Sequence, residues 1–202
     1  TFFRFFDRYY KVTINLPIKW LPKLTKVLRL NCEDCDLEYL DVYCQRITCD
    51  NNSRLSKIHN PPYRIRFLNC KNCDLTELRN LQDCLRLHCS YNPKLENIFH
   101  LEKIVDLVCD NCNLTVLNSL SKCRKLICDN NPNLISIDDL EIVEKLYCSY
   151  CNLNTLSGLS SCKFLRCNNN LNLHSLDNLQ IVERIDCSNC NLTNLPVLPN
   201  LK

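Results

Sequence analysis

Cysteine recurs in this chain at fixed intervals, and that regularity constrains the fold more than any other feature. Cys-x-x-Cys pairs begin at Cys32, Cys70, Cys109, Cys148 and Cys187. Between them stand Cys44/Cys49, Cys84/Cys89, Cys123/Cys128 and Cys162/Cys167. Like pairs recur about every 39 residues, and each period splits into two units of about 20. The odd unit reads V-x-x-L-x-C-x-x-C-x-L-x-x-L, as in Ile104-Leu107-Cys109-Cys112-Leu114-Leu117. The even unit reads C-x-x-L-x-C-x-x-N-x-x-L-x-x-I, as in Cys123-Leu126-Cys128-Asn131-Leu134-Ile137. A unit this short cannot bury its apolar side alone, so stability must come from stacked neighbours.

Each unit is read as one strand and one return. The strand V-x-x-L-x-C places the Leu and the following Cys on one face by period-two alternation. The turn after it carries Asn or Cys, and a buried Asn there can bond the open backbone of adjacent turns as a ladder. About 20 residues leave little room for a return helix, so extended or 3-10 returns are expected. The product is a parallel sheet with strands about 4.8 Å apart.

These lines resemble the leucine-rich repeat family, L-x-x-L-x-L-x-x-N/C-x-L, over residues 20–202 in nine consecutive units. The unit length and the closing Leu195-Pro196-Val197-Leu198-Pro199 are most similar to the bacterial short-repeat subclass, with Cys where the family usually has Leu. The resemblance implies an α/β-type solenoid that is mostly β. Its form is a right-handed horseshoe with a parallel concave sheet and short extended or 3-10 convex returns. It also implies protein binding through the concave face, although a fold does not choose the partner.

All eighteen cysteines fall within the repeats and are expected to point inward. Cys32, Cys49, Cys70, Cys89, Cys109, Cys128, Cys148, Cys167 and Cys187 hold the second inward strand position. Cys35, Cys73, Cys112, Cys151 and Cys190 take the Asn position of odd units. Cys44, Cys84, Cys123 and Cys162 take the first apolar position of even units. Reduced buried thiols acting as small hydrophobes are the reading carried forward, in a reducing compartment such as the cytoplasm. Strand spacing does not forbid disulfides. Zinc fits worse, because successive Cys-x-x-Cys pairs lie two strands apart, about 9.6 Å.

Composition removes several function classes. With one Gly, neither GxGxxG nor GxxxxGK[ST] can be written. No apolar run approaches the roughly 18 residues of a membrane span. The net charge of +3 does not by itself imply nucleic acid. His59, His88, His100 and His174 lie in different units without a repeated acid partner, and nothing resembles a Ser/His/Asp arrangement. An enzyme is not expected, nor a cofactor or metal. Asn51-Asn52-Ser53, Asn113-Leu114-Thr115 and Asn191-Leu192-Thr193 match the glycosylation sequon by chance in an Asn-rich chain. The lack of Ala and Met looks like the codon bias of an AT-rich genome.

The ends differ from the middle. Phe2, Phe3, Phe5, Phe6, Tyr9 and Tyr10 make an aromatic cluster in residues 1–19, read as a cap over the first unit, or else as a patch that docks a partner or a remnant of an upstream segment. Leu198-Pro199-Asn200-Leu201-Lys202 stops mid-repeat without a cap, and with no initiating Met the natural chain is expected to extend beyond this sequence.

Function is sought on the outward strand positions. The first outward column is Arg29, Arg46, Phe67, Arg86, Asp106, Lys125, Lys145, Phe164, Arg184. The second is Asn31, Thr48, Asn69, His88, Val108, Ile127, Tyr147, Arg166, Asp186. The third is Glu33, Asp50, Lys71, Ser90, Asp110, Asp129, Ser149, Asn168, Ser188. Val108, Ile127 and Tyr147 thus form an apolar strip between a basic and an acidic or polar stripe, as interfaces are built. Scattered surface hydrophobes are the plain alternative. The expected interface is Tyr147, Ile127 and Val108 with His88, Arg86, Lys125, Lys145, Phe164 and Arg166 around them, binding a protein partner. Nucleic acid ranks lower because the acidic column repels phosphate. The rivals are a structural component of a larger assembly, such as a virion of an AT-rich large DNA virus, and the recognition part of a pathogen effector.

Overall fold

The computed structural model describes residues 11–22, 24, 27–59, 65–177 and 179–202. The expected aromatic cluster at 2–10 lies outside the described residues. Within them the strands run β1 (Lys11–Thr13), β2 (Arg29–Asn31), β3 (Tyr39–Asp41), β4 (Arg46–Thr48), β5 (Lys57–His59), β6 (Phe67–Asn69), β7 (Glu77–Leu78) and β8 (Arg86–His88). They continue as β9 (Asn97–Ile98), β10 (Asp106–Val108), β11 (Val116–Leu117), β12 (Lys125–Ile127), β13 (Ser136–Ile137), β14 (Lys145–Tyr147), β15 (Phe164–Arg166) and β16 (Arg184–Asp186). One 3-10 turn, Leu159–Ser161, is the helical content among the described residues.

Ten strands pair in parallel in the order β1-β2-β4-β6-β8-β10-β12-β14-β15-β16. The chain is a β-solenoid of about nine turns, as expected from the repeats. β1 comes from the segment expected to cap the first unit and joins the sheet as its first strand. The register joins like positions throughout: Asp106 beside Lys125, Leu107 beside Leu126, Val108 beside Ile127.

Each main strand is three residues long with its middle residue inward. Leu68, Leu87, Leu107, Leu126 and Leu146 form one buried row, and Cys70, Cys89, Cys109, Cys128 and Cys148 form the next. Returns are extended, as expected. Their strands pair in twos, β3 with β5, β7 with β9, and β11 with β13, with single bridges at Leu24–Val42 and Leu156–Leu176.

Those twos match a length difference in the sequence. Six residues separate the inward Cys from the next core Leu in even units, as in Cys128 to Leu134, but five in odd units, as in Cys109 to Leu114. The extra residue lets the even turn close on itself: Leu134 N donates to Asn131 O at 2.9 Å, and Leu95 N to Asn92 O at 2.9 Å. The shorter odd turn leaves its Leu N–H open. The Asn of the following even unit accepts it, Leu114 N to Asn131 Oδ1 at 3.1 Å and Leu75 N to Asn92 Oδ1 at 3.1 Å. The same Asn131 donates to Cys109 O at 3.0 Å and Cys128 O at 2.9 Å, so one buried amide satisfies three backbone groups in two units.

This geometry explains why Cys suffices in odd units. The preceding even turn has already bonded its own Leu N–H and needs no acceptor. What remains is a carbonyl, and a thiol provides one donor. Cys112 Sγ reaches Cys89 O at 3.3 Å and Cys151 Sγ reaches Cys128 O at 3.3 Å. The second thiol of each Cys-x-x-Cys pair is thus turned to backbone oxygen. Among the described residues no group of three His, Cys, Asp or Glu side chains is arranged to hold a metal ion.

Every ladder residue follows one in the left-handed region, from Asp34 (φ 54) and Asn51 (φ 61) to Asn189 (φ 56). Asn and Asp tolerate that region best among residues with a side chain, which suits a chain with so little Gly. The exceptions are Tyr91 (φ 58) and Tyr150 (φ 56). A second left-handed row, Asn80, His100, Ser119, Asp139 and Gly158, lies in the returns. At Gly158 a Cβ would sit 3.4 Å from the Leu140 backbone.

All eighteen cysteines are free thiols, and sixteen are buried; Cys187 and Cys190, on the last turn, are half-buried. Burial pushes the Cys44, Cys73 and Cys162 thiols up to about 11 and those of Cys84, Cys112, Cys123 and Cys151 to about 12. Unfolded thiols therefore ionise first, and the stability these groups contribute is complete below about pH 8.5 and lost as pH rises. At about 1.4 kcal/mol per pH unit per thiol, the buried set removes on the order of 20 kcal/mol per unit. That exceeds the usual total of about 5–15 kcal/mol. The protein should therefore unfold within about one pH unit above pH 9 when followed by circular dichroism under reductant. A native spectrum at pH 11 would contradict this packing.

The ladder gives a second expectation. Asn131→Ala strands three buried backbone groups and should cost about 3 kcal/mol or more in urea unfolding, whereas Cys112→Ala loses one weak bond and should cost about 1–2 kcal/mol. Equal costs would show that the two ladder residues do the same job.

Candidate functional site

The outward columns expected on the main sheet are adjacent as read, because the strand register joins like positions in every pair. Val108, Ile127 and Tyr147 lie side by side on β10, β12 and β14, half-buried, with His88 before them and Arg166 after. Lys125, Lys145 and Phe164 run in the neighbouring column, and Arg86 stands in that column on β8.

Tyr147 is more enclosed than its strand position alone suggests. Lys145 Nζ lies 4.3 Å from its ring centroid and the Arg166 guanidinium carbon 4.3 Å from it. Arg166 also pairs with Asp129. Since Asp129 belongs to the β12 turn and Arg166 to β15, the guanidinium spans the intervening tyrosine. Both cations gain from the ring's negative face.

The third column differs from the exposed stripe expected for it. Ser90, Asp129 and Ser149 are buried. The strand has ended there, the chain bends into the ladder corner, and the polar side chains bond across units. Ser149 N donates to Asp129 Oδ1 at 2.7 Å, Lys71 N to Asp50 Oδ1 at 2.8 Å, and Ser90 Oγ to Asp110 Oδ1 at 2.5 Å. The carboxylates are held by these bonds and are less available to a ligand than an exposed row.

His88 and Asp106 form a separate half-buried group. His88 Nε2 is 3.8 Å from Asp106 Oδ2, and Lys125 Nζ is 3.2 Å from Asp106 Oδ1. Burial lowers the His88 pKa, and the Asp106 charge opposes that shift without reversing it. The basic character of this region comes from Lys125 and the arginines.

Two shallow clefts flank Arg166. One is bounded by Asp129, Ser149, Tyr150, Arg166, Asn168 and Asp186, the other by Tyr147, Phe164, Arg166, Arg184, Ile185 and Asp186. Asp129, Tyr150 and Asp186 were not singled out from the sequence. The signal for Asp129 was its place two units before Arg166, but side-chain reach is not written in a strand pattern. The histidines His59, His100 and His174 are exposed on the returns, away from this face.

Asp129→Ala should leave Arg166 and the Ser149 N–H without their partner and destabilise by about 3 kcal/mol in urea. Arg166→Ala/Asp129→Ala should cost much less than the two single losses combined. Additive losses would separate the two residues energetically.

No known protein-family model matches the chain, and no curated protein matches it.

Proposed function

We propose that the chain is a non-enzymatic protein-interaction module of the leucine-rich repeat type, and that its partner binds across the centre of the concave sheet. The observation that carries this reading is the run of Val108, Ile127 and Tyr147 on three adjacent strands. These outward positions are not needed to fill the core, which the Leu and Cys rows already fill. An apolar centre ringed by Lys125, Lys145, Arg166 and His88 has the composition of a protein interface. Carboxylates among those side chains, Asp106, Asp129 and Asp186, disfavour a polyphosphate. Repeats with an Asn ladder support the family reading, and the load of buried free thiols supports a reducing compartment. Among the described residues no helix is long and apolar enough to cross a membrane.

The test is recovery of binding partners from lysate with wild type and with Tyr147→Ala/Ile127→Asp, followed by affinity measurement on whatever is recovered. Loss of the tyrosine should cost about 2 kcal/mol or more of binding, as for an interface anchor. Lys125→Ala should mainly slow association, with an effect that shrinks as salt rises. Unchanged recovery by the double variant removes the sheet centre as the site and favours assembly through other surfaces.

A further inference from the structure

A second part of the same face carries charge that the fold leaves unanswered. Arg29 on β2, Arg46 on β4 and Arg86 on β8 occupy one column, and Phe67 on β6 completes it. Arg66, the residue before Phe67, is exposed. Two cations elsewhere on the face have acids, Lys125 with Asp106 and Arg166 with Asp129. Among the described residues no ion pair involves Arg29, Arg46, Arg66 or Arg86. Arg29 and Arg46 are direct neighbours in the register, about 4.8 Å apart along the sheet. Like charges so placed repel, and nothing in the core requires them.

Phe67 holds the arginines over the sheet. The Arg46 guanidinium carbon lies 4.1 Å from its ring centroid and that of Arg86 lies 5.8 Å away. Stacked guanidinium planes keep their edge donors free for carboxylate. The adjoining positions Asn31, Thr48 and Asn69 are neutral. The acids Glu33 and Asp50 lie past the strand ends, where Asp50 Oδ1 accepts from Lys71 N at 2.8 Å. Asp106 stands beside Arg86 in the register but is paired with Lys125, so the unanswered charge is concentrated on Arg29, Arg46 and Arg66.

We infer that this strip, Arg29, Arg46, Arg66 and Arg86 around Phe67, is a docking surface for an acidic peptide segment of the protein partner. The inference rests on the reading of the chain as a protein-interaction module but uses a different set of residues. From β2 to β8 is about 14 Å, and an extended peptide presents same-side carboxylates about 6.6 Å apart. The strip thus suits two or three acidic side chains crossing the strands.

The probe is a fluorescent decapeptide of glutamate, titrated by anisotropy at low salt. Saturable binding is expected, weakening as salt rises. Arg46→Glu/Arg86→Glu should weaken it at least tenfold. Lys57→Glu/Lys122→Glu, the same charge change on the returns, should alter it less than twofold. Arg46→Gln/Arg86→Gln serves if charge reversal perturbs folding, and should itself leave the unfolding midpoint at or above wild type. No saturable binding overturns the inference, as does equal loss from both charge reversals. Tighter binding of a ten-thymidine oligonucleotide through Arg46 and Arg86 overturns it in favour of nucleic acid. Failure of the glutamate peptide while Tyr147→Ala still abolishes partner capture defeats this strip alone. Peptide binding with no Tyr147 effect defeats the sheet centre alone.

Discussion

A single buried amide in every second turn is the interaction on which the rest of this structure depends. Asn52, Asn92, Asn131 and Asn170 are fully buried, and each accepts an N–H from the unit before it while donating to two strand-end carbonyls. Without that amide the shorter turns would bury open backbone groups, at about 1–3 kcal/mol each. Because the longer turns are self-sufficient, the other units need only a donor, and cysteine supplies it. The Cys-x-x-Cys motif is therefore the complement of an Asn turn, a backbone device before it is anything chemical.

The same alternation divides the solenoid into tied pairs. Asn reaches from an even unit to the odd unit before it, and the return strands pair across that same boundary. Outer contacts occur across both boundaries: Lys94 with Asp74, Asn133 with Asn113 and Asn172 with Asn152 across this one, Asn72 with Asn51, Asn189 with Asn169 and Arg124 with Glu144 across the other. Across the opposite boundary the ladder residue supplies one thiol donor, such as Cys112 to Cys89 O, beside backbone bonds such as Asn113 N to Leu95 O at 3.0 Å and Asn152 N to Leu134 O at 3.0 Å. The two boundaries thus differ in the group that serves the ladder, an amide at one and a thiol at the other, while backbone bonds cross both.

Much of this was legible in the sequence for a simple reason. Leu107 and Cys109 alternate with Val108 within a strand, and the repeat fixes which residue of the next strand lies beside each. Inward rows, outward columns and strand register then follow together. The neighbourhood of Val108, Ile127 and Tyr147 followed on the same logic. What the pattern did not contain was side-chain reach. Arg166 spans Tyr147 to meet Asp129, and the third column bends inward to be bonded at Ser90 and Ser149. Nor did it show that the one-residue difference between turns decides which units carry Asn. That difference was visible, but its meaning lies in which backbone N–H each turn can satisfy for itself.

The paired construction also sets how such a chain can change in length. Removing or adding one turn would place two short turns, or two long ones, in succession. Two short turns leave an N–H with no amide to accept it; two long ones bring an amide oxygen against a turn already closed. Removing or adding both turns together restores the alternation at the new junction without altering any neighbour. Gene duplication within this solenoid is therefore free to act only in steps of the full double turn, and copy number, rather than turn length, is the variable left open to evolution or design.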